Sequence, residues 1–234
     1  MPSPARPDRL PAAVLWDMDG TIVDTEPLWL AAEMRLMTAA GVPFGPADHA
    51  EMIGMALLTA AEVLQGRGVD LPAEEIVDRL VADVHAALLL EVPWLPGVPE
   101  LLASLVDAGV PCALVTMSYR NLADAVVAGA PAGAFSVVVA GDEVVEGKPH
   151  PEAYLRAAEA LGVAAQDCVA IEDSVPGVAA AYASGARTIG IQHVVPVAER
   201  PGLSRIDSVR HLSMDLIARV ASGETVDLIS SPLR

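Results

Sequence analysis

The 234 residues are enough for one large domain, or for a domain carrying a smaller insertion. Hydrophobic residues make up 53% but aromatics only 3%, so a sizeable core must be built from Ala, Val, Leu, Ile and Met. The formal charge of −17 gives a surface that repels nucleic acid and anionic membrane, and a phosphorylated ligand would need a site with its own positive field.

In chain order, the N-terminal stretch 1–11 has no apolar signal core. Residues 13–16 form a short apolar run bounded by Pro11 and Gly20. From 27 to 93 only helical patterns occur, at 27–40, ending at Gly41, and at 72–92. Then helical spacing over 97–108, ending at Gly109, alternates with an apolar run at 112–116 and another at 136–140. A helix over 151–161 starts with Pro and ends at Gly162, the run 168–171 follows, and a helix over 175–183 ends at Gly185. The run 187–191 comes next, with 209–212 as a sixth strand candidate. Runs apolar on both faces, alternating with helices, predict an α/β fold with a doubly wound parallel sheet. The sheet domain would comprise 1–26 and 94–234, with 27–93 inserted as a helical domain.

Cys112 and Cys168 each open an apolar run and read as buried thiols rather than a disulfide. No run approaches the length of a membrane span, so a cytoplasmic protein with no membrane or nucleic-acid partner is expected.

Four features at predicted strand ends carry chemistry. Asp17 and Asp19, at i and i+2 on an extended chain, point into one volume, with Gly20 and Thr21 offering N–H groups beside them. The pair fits a nucleophile with its proton donor, or two solvated loop acids. A calcium loop is excluded because Leu28 stands where its closing Glu belongs. Thr116, with Ser118 two residues on, can hold phosphate oxygens, or Ser118 can simply cap a helix. Lys148, the chain's one lysine, lies in Gly147-Lys148-Pro149-His150-Pro151 and suits a phosphate oxygen, or is a tolerated surface residue. Glu172 and Asp173 fit a hard cation, or are helix-start acids beside an N-cap at Ser174.

Taken together, Asp17-Met18-Asp19-Gly20-Thr21, Thr116, Lys148-Pro149 and Glu172-Asp173 resemble, in order, the four motifs of the haloacid-dehalogenase-like superfamily. The helical insertion resembles that family's small α-helical cap. The segment from Asp17 to Trp29 is similar to the branch of β-phosphoglucomutases and sugar-phosphate phosphatases. The resemblance implies a Rossmann-like core and a Mg²⁺-dependent phosphotransferase acting on a small phosphorylated metabolite. It implies that Asp17 becomes an aspartyl phosphate and that Asp19 is the general acid and base. Thr116, Gly20 and the N–H of Met117 would bind phosphate with Lys148. Asp17, the Asp19 carbonyl and Asp173 would hold Mg²⁺, with Glu172 ligating or just outside. Leu57 stands where β-phosphoglucomutases carry Arg, and the insertion contains no lysine; its cations are Arg35, Arg67 and Arg79. A phosphatase is therefore expected over a mutase, and over a non-catalytic phosphate-binding protein. Glu26, Trp29, Met52, Met55, Leu57 and Leu58 are candidate cap residues facing substrate, and a monomer is expected.

Overall fold

The computed structural model describes residues 10–53, 55–192 and 196–229; most of the N-terminal stretch read above lies outside them. Two compact units result, one running to Val23 and resuming at Trp94, the other spanning Asp24–Pro93.

The first unit is built on seven parallel strands: β1 (Ala13–Trp16), β2 (Cys112–Val115), β3 (Val137–Val139), β4 (Cys168–Glu172), β5 (Arg187–Ile191), β6 (Ser204–Ile206) and β7 (Asp227–Leu228). Their spatial order is β3-β2-β1-β4-β5-β6-β7, so the strand order reverses between β1 and β4. The helices here are α5 (Val98–Asp107), α6 (Arg120–Ala128), α7 (Glu152–Ala160), α8 (Val175–Ala183) and α9 (Met214–Ala221), the second unit holding α1 to α4.

The sheet core explains the composition. Ala13, Leu15, Ala113, Val115, Cys168 and Ala170 share one face and pack with Ala153, Tyr154 and Ala157 of α7 and Ala180 and Ala181 of α8. Small side chains on both partners let helix and sheet approach closely, which a core poor in aromatics requires. The alternate residues Val14, Trp16, Leu114, Val169 and Ile171 are equally buried, so the other face is covered too. Being buried on both faces is why these strands read as unbroken apolar runs.

The 209–212 candidate is not a strand. Residues Val209–His211 form a 3₁₀ turn, with the Ser208 hydroxyl accepting the Arg210 N–H. The sheet is instead extended by β6 and β7, whose sequences SRI and DL are too short and polar to show an apolar run.

The second unit is helical among its described residues: α1 (Glu26–Ala39), α2 (Pro46–Ala50), α3 (Leu57–Gly66) and α4 (Ala73–Leu90). Its first helix starts at Glu26, one residue before Pro27, because Pro fits the first turn, where its missing N–H has no partner to lose. Ile76, Val77, Leu80, Val81, Val84 and Leu88 form the buried stripe of α4, which packs against α1 and α3. Ion pairs join its elements: Arg35 to Asp83 at 2.8 Å, and Arg67 to both Asp48 and Glu51. His49 is buried between Glu33, 2.6 Å from its Nδ1, and Glu26, 2.9 Å from its Nε2.

Candidate active site

The four sequence features converge at the C-terminal ends of β3, β2, β1 and β4, four strands adjacent in the sheet. The strand order reverses between β1 and β4, which is the usual ligand site of open α/β sheets.

Asp17 immediately follows β1, and its N–H donates to the Ile171 carbonyl at 3.0 Å. The chain then turns tightly: Thr21, Ile22 and Val23 all donate N–H groups to the Met18 carbonyl. Gly20 sits at φ +79°, and a Cβ there would lie 2.2 Å from Asp173 Oδ2. Glycine is thus required both by conformation and by the approach of a carboxylate. The Thr21 hydroxyl donates to Asp173 Oδ1 at 3.1 Å, tying the β1 turn to the end of β4.

Lys148 reaches the middle of this group. Its Nζ donates to Asp17 Oδ1 at 2.6 Å, to Glu172 Oε1 at 2.6 Å and to the Val115 carbonyl at 2.9 Å. All three ammonium protons are used. The Lys148 side chain is only 4% exposed, so the surface reading of this lysine is excluded. Burial works against the ammonium, but Asp17 and Glu172 outweigh it and raise its pKa above the ordinary lysine value.

Glu172 is fully buried, and five donors surround it. Lys148 and the Tyr154 hydroxyl, at 2.9 Å, bond Oε1, while the N–H groups of Asp173 and Ser174 and the Ser174 hydroxyl bond Oε2. Burial, followed by the Glu172 charge, pushes the Tyr154 phenol well above its usual range, so it stays a donor. Ser174 also caps α8, accepting the Gly177 N–H at 3.0 Å as expected for an N-cap.

Asp17, Glu172 and Asp173 each present a carboxylate oxygen within 4.8 Å of the others. Burial, and then the neighbouring Glu172, raise Asp17 well above the carboxylate range and push Asp173 up to about 7. Three acids at this separation with one ammonium leave the site short of positive charge. An oxygen-lined pocket with that deficit fits a hard divalent cation such as Mg²⁺.

Thr116 follows β2, with its N–H on the Val139 carbonyl. Its Oγ1 accepts the Ser118 N–H at 2.9 Å and lies 3.4 Å from Asp19 Oδ2. Ser118 does not cap a helix: α6 begins at Arg120, with Tyr119 at the N-cap position. Its hydroxyl instead donates to Asp19 Oδ2 at 2.7 Å. Met117 lies between them, its sulfur 3.3 Å from the Lys148 N–H.

Two residues around the site, Tyr154 and Gly141, escaped the sequence reading. Tyr154 looks like one more buried position on the apolar face of α7. Gly141 was missed although a glycine after an apolar run is a signal of close backbone approach. A Cβ on it would stand 2.1 Å from the Met117 carbonyl oxygen, and its N–H donates to the Ser118 carbonyl at 3.0 Å.

Residues 11–185 match the haloacid dehalogenase-like hydrolase family. The chain belongs to that family and is a hydrolase. It is 31% identical over 191 residues to hexitol phosphatase B of Escherichia coli strain K12, covering 80% of this chain and 84% of that one. It is 32% identical over 218 residues to hexitol phosphatase A of the same organism, covering 91% and 96%. Among solved structures, a mutant of CbbY from Rhodobacter sphaeroides in complex with xylulose-(1,5)bisphosphate superposes with a TM-score of 0.75 at 28% identity, over 87% of this chain and 96% of that one. Among the described residues, no helix is long and apolar enough to cross a membrane.

Proposed function

We propose that this protein is a Mg²⁺-dependent phosphatase that hydrolyses a small phosphorylated polyol or sugar through an aspartyl phosphate on Asp17. The observation that carries the reading is the buried Lys148 ammonium bonded to the Asp17 carboxylate at the switch point of the sheet. The names of the two hexitol phosphatases support the substrate class.

In the first half-reaction an Asp17 oxygen attacks phosphorus, and the bond from phosphorus to the leaving alcohol breaks. Asp19 gives its proton to the departing oxygen. In the second half Asp19 takes a proton from water as that water attacks phosphorus, and the Asp17–phosphorus bond breaks to release phosphate. The Thr116 hydroxyl and the backbone N–H of Met117 bind phosphate oxygens, whereas the expected Gly20 contact is ruled out because the Gly20 N–H donates to the Val23 carbonyl at 2.8 Å; Lys148 offsets the charge of an anion attacking an anion. Fixed donors of this kind are each worth roughly 3–4 kcal/mol of barrier. Asp17, Asp173 and the Asp19 carbonyl would hold the Mg²⁺, which when bound shields the phosphoryl charge from the attacking carboxylate. Glu172, with five donors already on it, is assigned to stand just outside as the counter-charge to Lys148.

The helical unit, residues 24–93, is read as the cap. A mutase must hold a second phosphate with fixed cations, and the three arginines of this unit are engaged elsewhere. Arg35 pairs with Asp83, Arg67 with Asp48 and Glu51, and Arg79 with Glu75. Water is therefore the favoured acceptor. Hexitol, pentitol and sugar phosphates with Mg²⁺ should yield free phosphate at a rate that Asp17→Asn lowers by about 10³ or more. An undiminished rate in that variant would overturn the proposal, as would isomerised sugar phosphate without net phosphate release.

A further inference from the structure

We infer that Ser118 is a positioning residue that aligns the Asp19 carboxyl group for proton transfer, a role that rests on the phosphatase reading above. The contact is short, 2.7 Å from Ser118 Oγ to Asp19 Oδ2, and spans 99 positions of sequence. The backbone around it leaves Ser118 little freedom. Its N–H is on Thr116 Oγ1 and its carbonyl accepts the Gly141 N–H at 3.0 Å. Gly141 comes so close that a Cβ would meet Met117 at 2.1 Å. With both backbone groups engaged, the side-chain torsion is the remaining variable, and it aims the hydroxyl at Asp19.

The neighbouring Thr116 hydroxyl is 3.4 Å from the same Asp19 oxygen, and it has one proton to give. A phosphate oxygen bound at Thr116 takes that proton, whereas the Ser118 contact is unaffected. A hydroxyl can donate to a carboxylate, and equally to the unprotonated oxygen of a carboxylic acid, so Ser118 stays on Oδ2 while the transferred proton is carried on Oδ1. Ser118 can therefore hold Asp19 in place both while it gives its proton to the alcohol and while it takes one from water, with no net gain or loss of its own proton. A fixed acid is what the proton transfer requires, since small misplacements of a catalytic group are costly.

The test uses the leaving group. An alkoxide from a hexitol phosphate needs the Asp19 proton, while p-nitrophenolate leaves without much help. For Ser118→Ala the kcat/KM on a hexitol phosphate should fall by about 10–100-fold, and on p-nitrophenyl phosphate at least about ten-fold less. Ser118→Thr, which keeps the hydroxyl, should restore most of the loss. Equal falls on both substrates would overturn the inference, because they would mean a phosphate-binding or loop-forming role. Unchanged kinetics on the hexitol phosphate would overturn it as well. Wild-type turnover and its loss in Asp17→Asn report on the phosphatase reading separately; without wild-type turnover, both ideas fall.

Discussion

Lys148→Met isolates the charge at the centre of the site. Methionine keeps an unbranched side chain against the Tyr154 ring, whose centroid lies 5.2 Å from the lysine nitrogen. The variant leaves Asp17 and Glu172, each 2.6 Å from the lost ammonium, buried together without a counter-charge. Removing one partner of a buried ion pair costs about 3–5 kcal/mol. At roughly 2–4 °C per kcal/mol for a domain of this size, Tm near neutral pH should drop by roughly 6–20 °C. The sign of the pH dependence follows from Asp17. Burial raises its folded pKa even with the lysine present, so the native state takes up a proton more readily than the unfolded chain does. Stability held by that protonated form is present at low pH and lost as pH rises through the folded pKa. Without Lys148 the effect is larger, so the gap to wild type should narrow on acidification towards about pH 5. Calorimetry across pH measures this, and phosphate release should fall by about 10²–10³ in the same variant. A Tm within a degree or so of wild type, or a gap that does not change with pH, would refute the ion-pair reasoning.

Gly141→Ala must displace the loop at Met117, and it should lower kcat/KM by about 10²-fold while the protein remains folded by circular dichroism; wild-type kinetics would show that the loop has room to yield. Asp173, pushed up to about 7 by burial and Glu172, has to lose its proton to hold a cation. Mg²⁺ affinity by titration calorimetry should therefore fall as pH drops below about 7, and pH-independent binding between about 6 and 8 would contradict the assignment. Burial pushes both Cys112 and Cys168 up to about 11. They also sit on β2 and β4 with β1 between, roughly 9–10 Å apart and too far for a disulfide. Neither should react with a thiol reagent at mildly alkaline pH until the protein is denatured, and rapid labelling of the native chain would show that the core is open there.

How much was legible depended on whether a residue's role was local. β1, β2, β4 and β5 stood out because the centre of a parallel sheet favours apolar side chains on both faces. β6 and β7 are short and carry Ser, Arg and Asp, so they left no pattern, while Val209 and Leu212 imitated a strand although Val209–His211 forms a 3₁₀ turn. The candidate site residues could be picked out from their positions at strand ends. Their mutual contacts could not, since Lys148 meets Asp17 across 131 positions and Ser118 meets Asp19 across 99. Ser118 shows the limit most plainly: two residues past a strand and just before a helix, its local setting reads as a cap, and only the packing of β1 beside β2 gives its hydroxyl a carboxylate to hold.

The central claim is a covalent bond between phosphorus and Asp17. The direct measurement is mass spectrometry of the enzyme acid-quenched during turnover of a hexitol phosphate with Mg²⁺. One phosphoryl group is expected on the peptide containing Asp17, removed by hydroxylamine and absent from Asp17→Asn. Rapid turnover with no phosphorylated peptide at any quench time, or a phosphoryl group on a different residue, would contradict it.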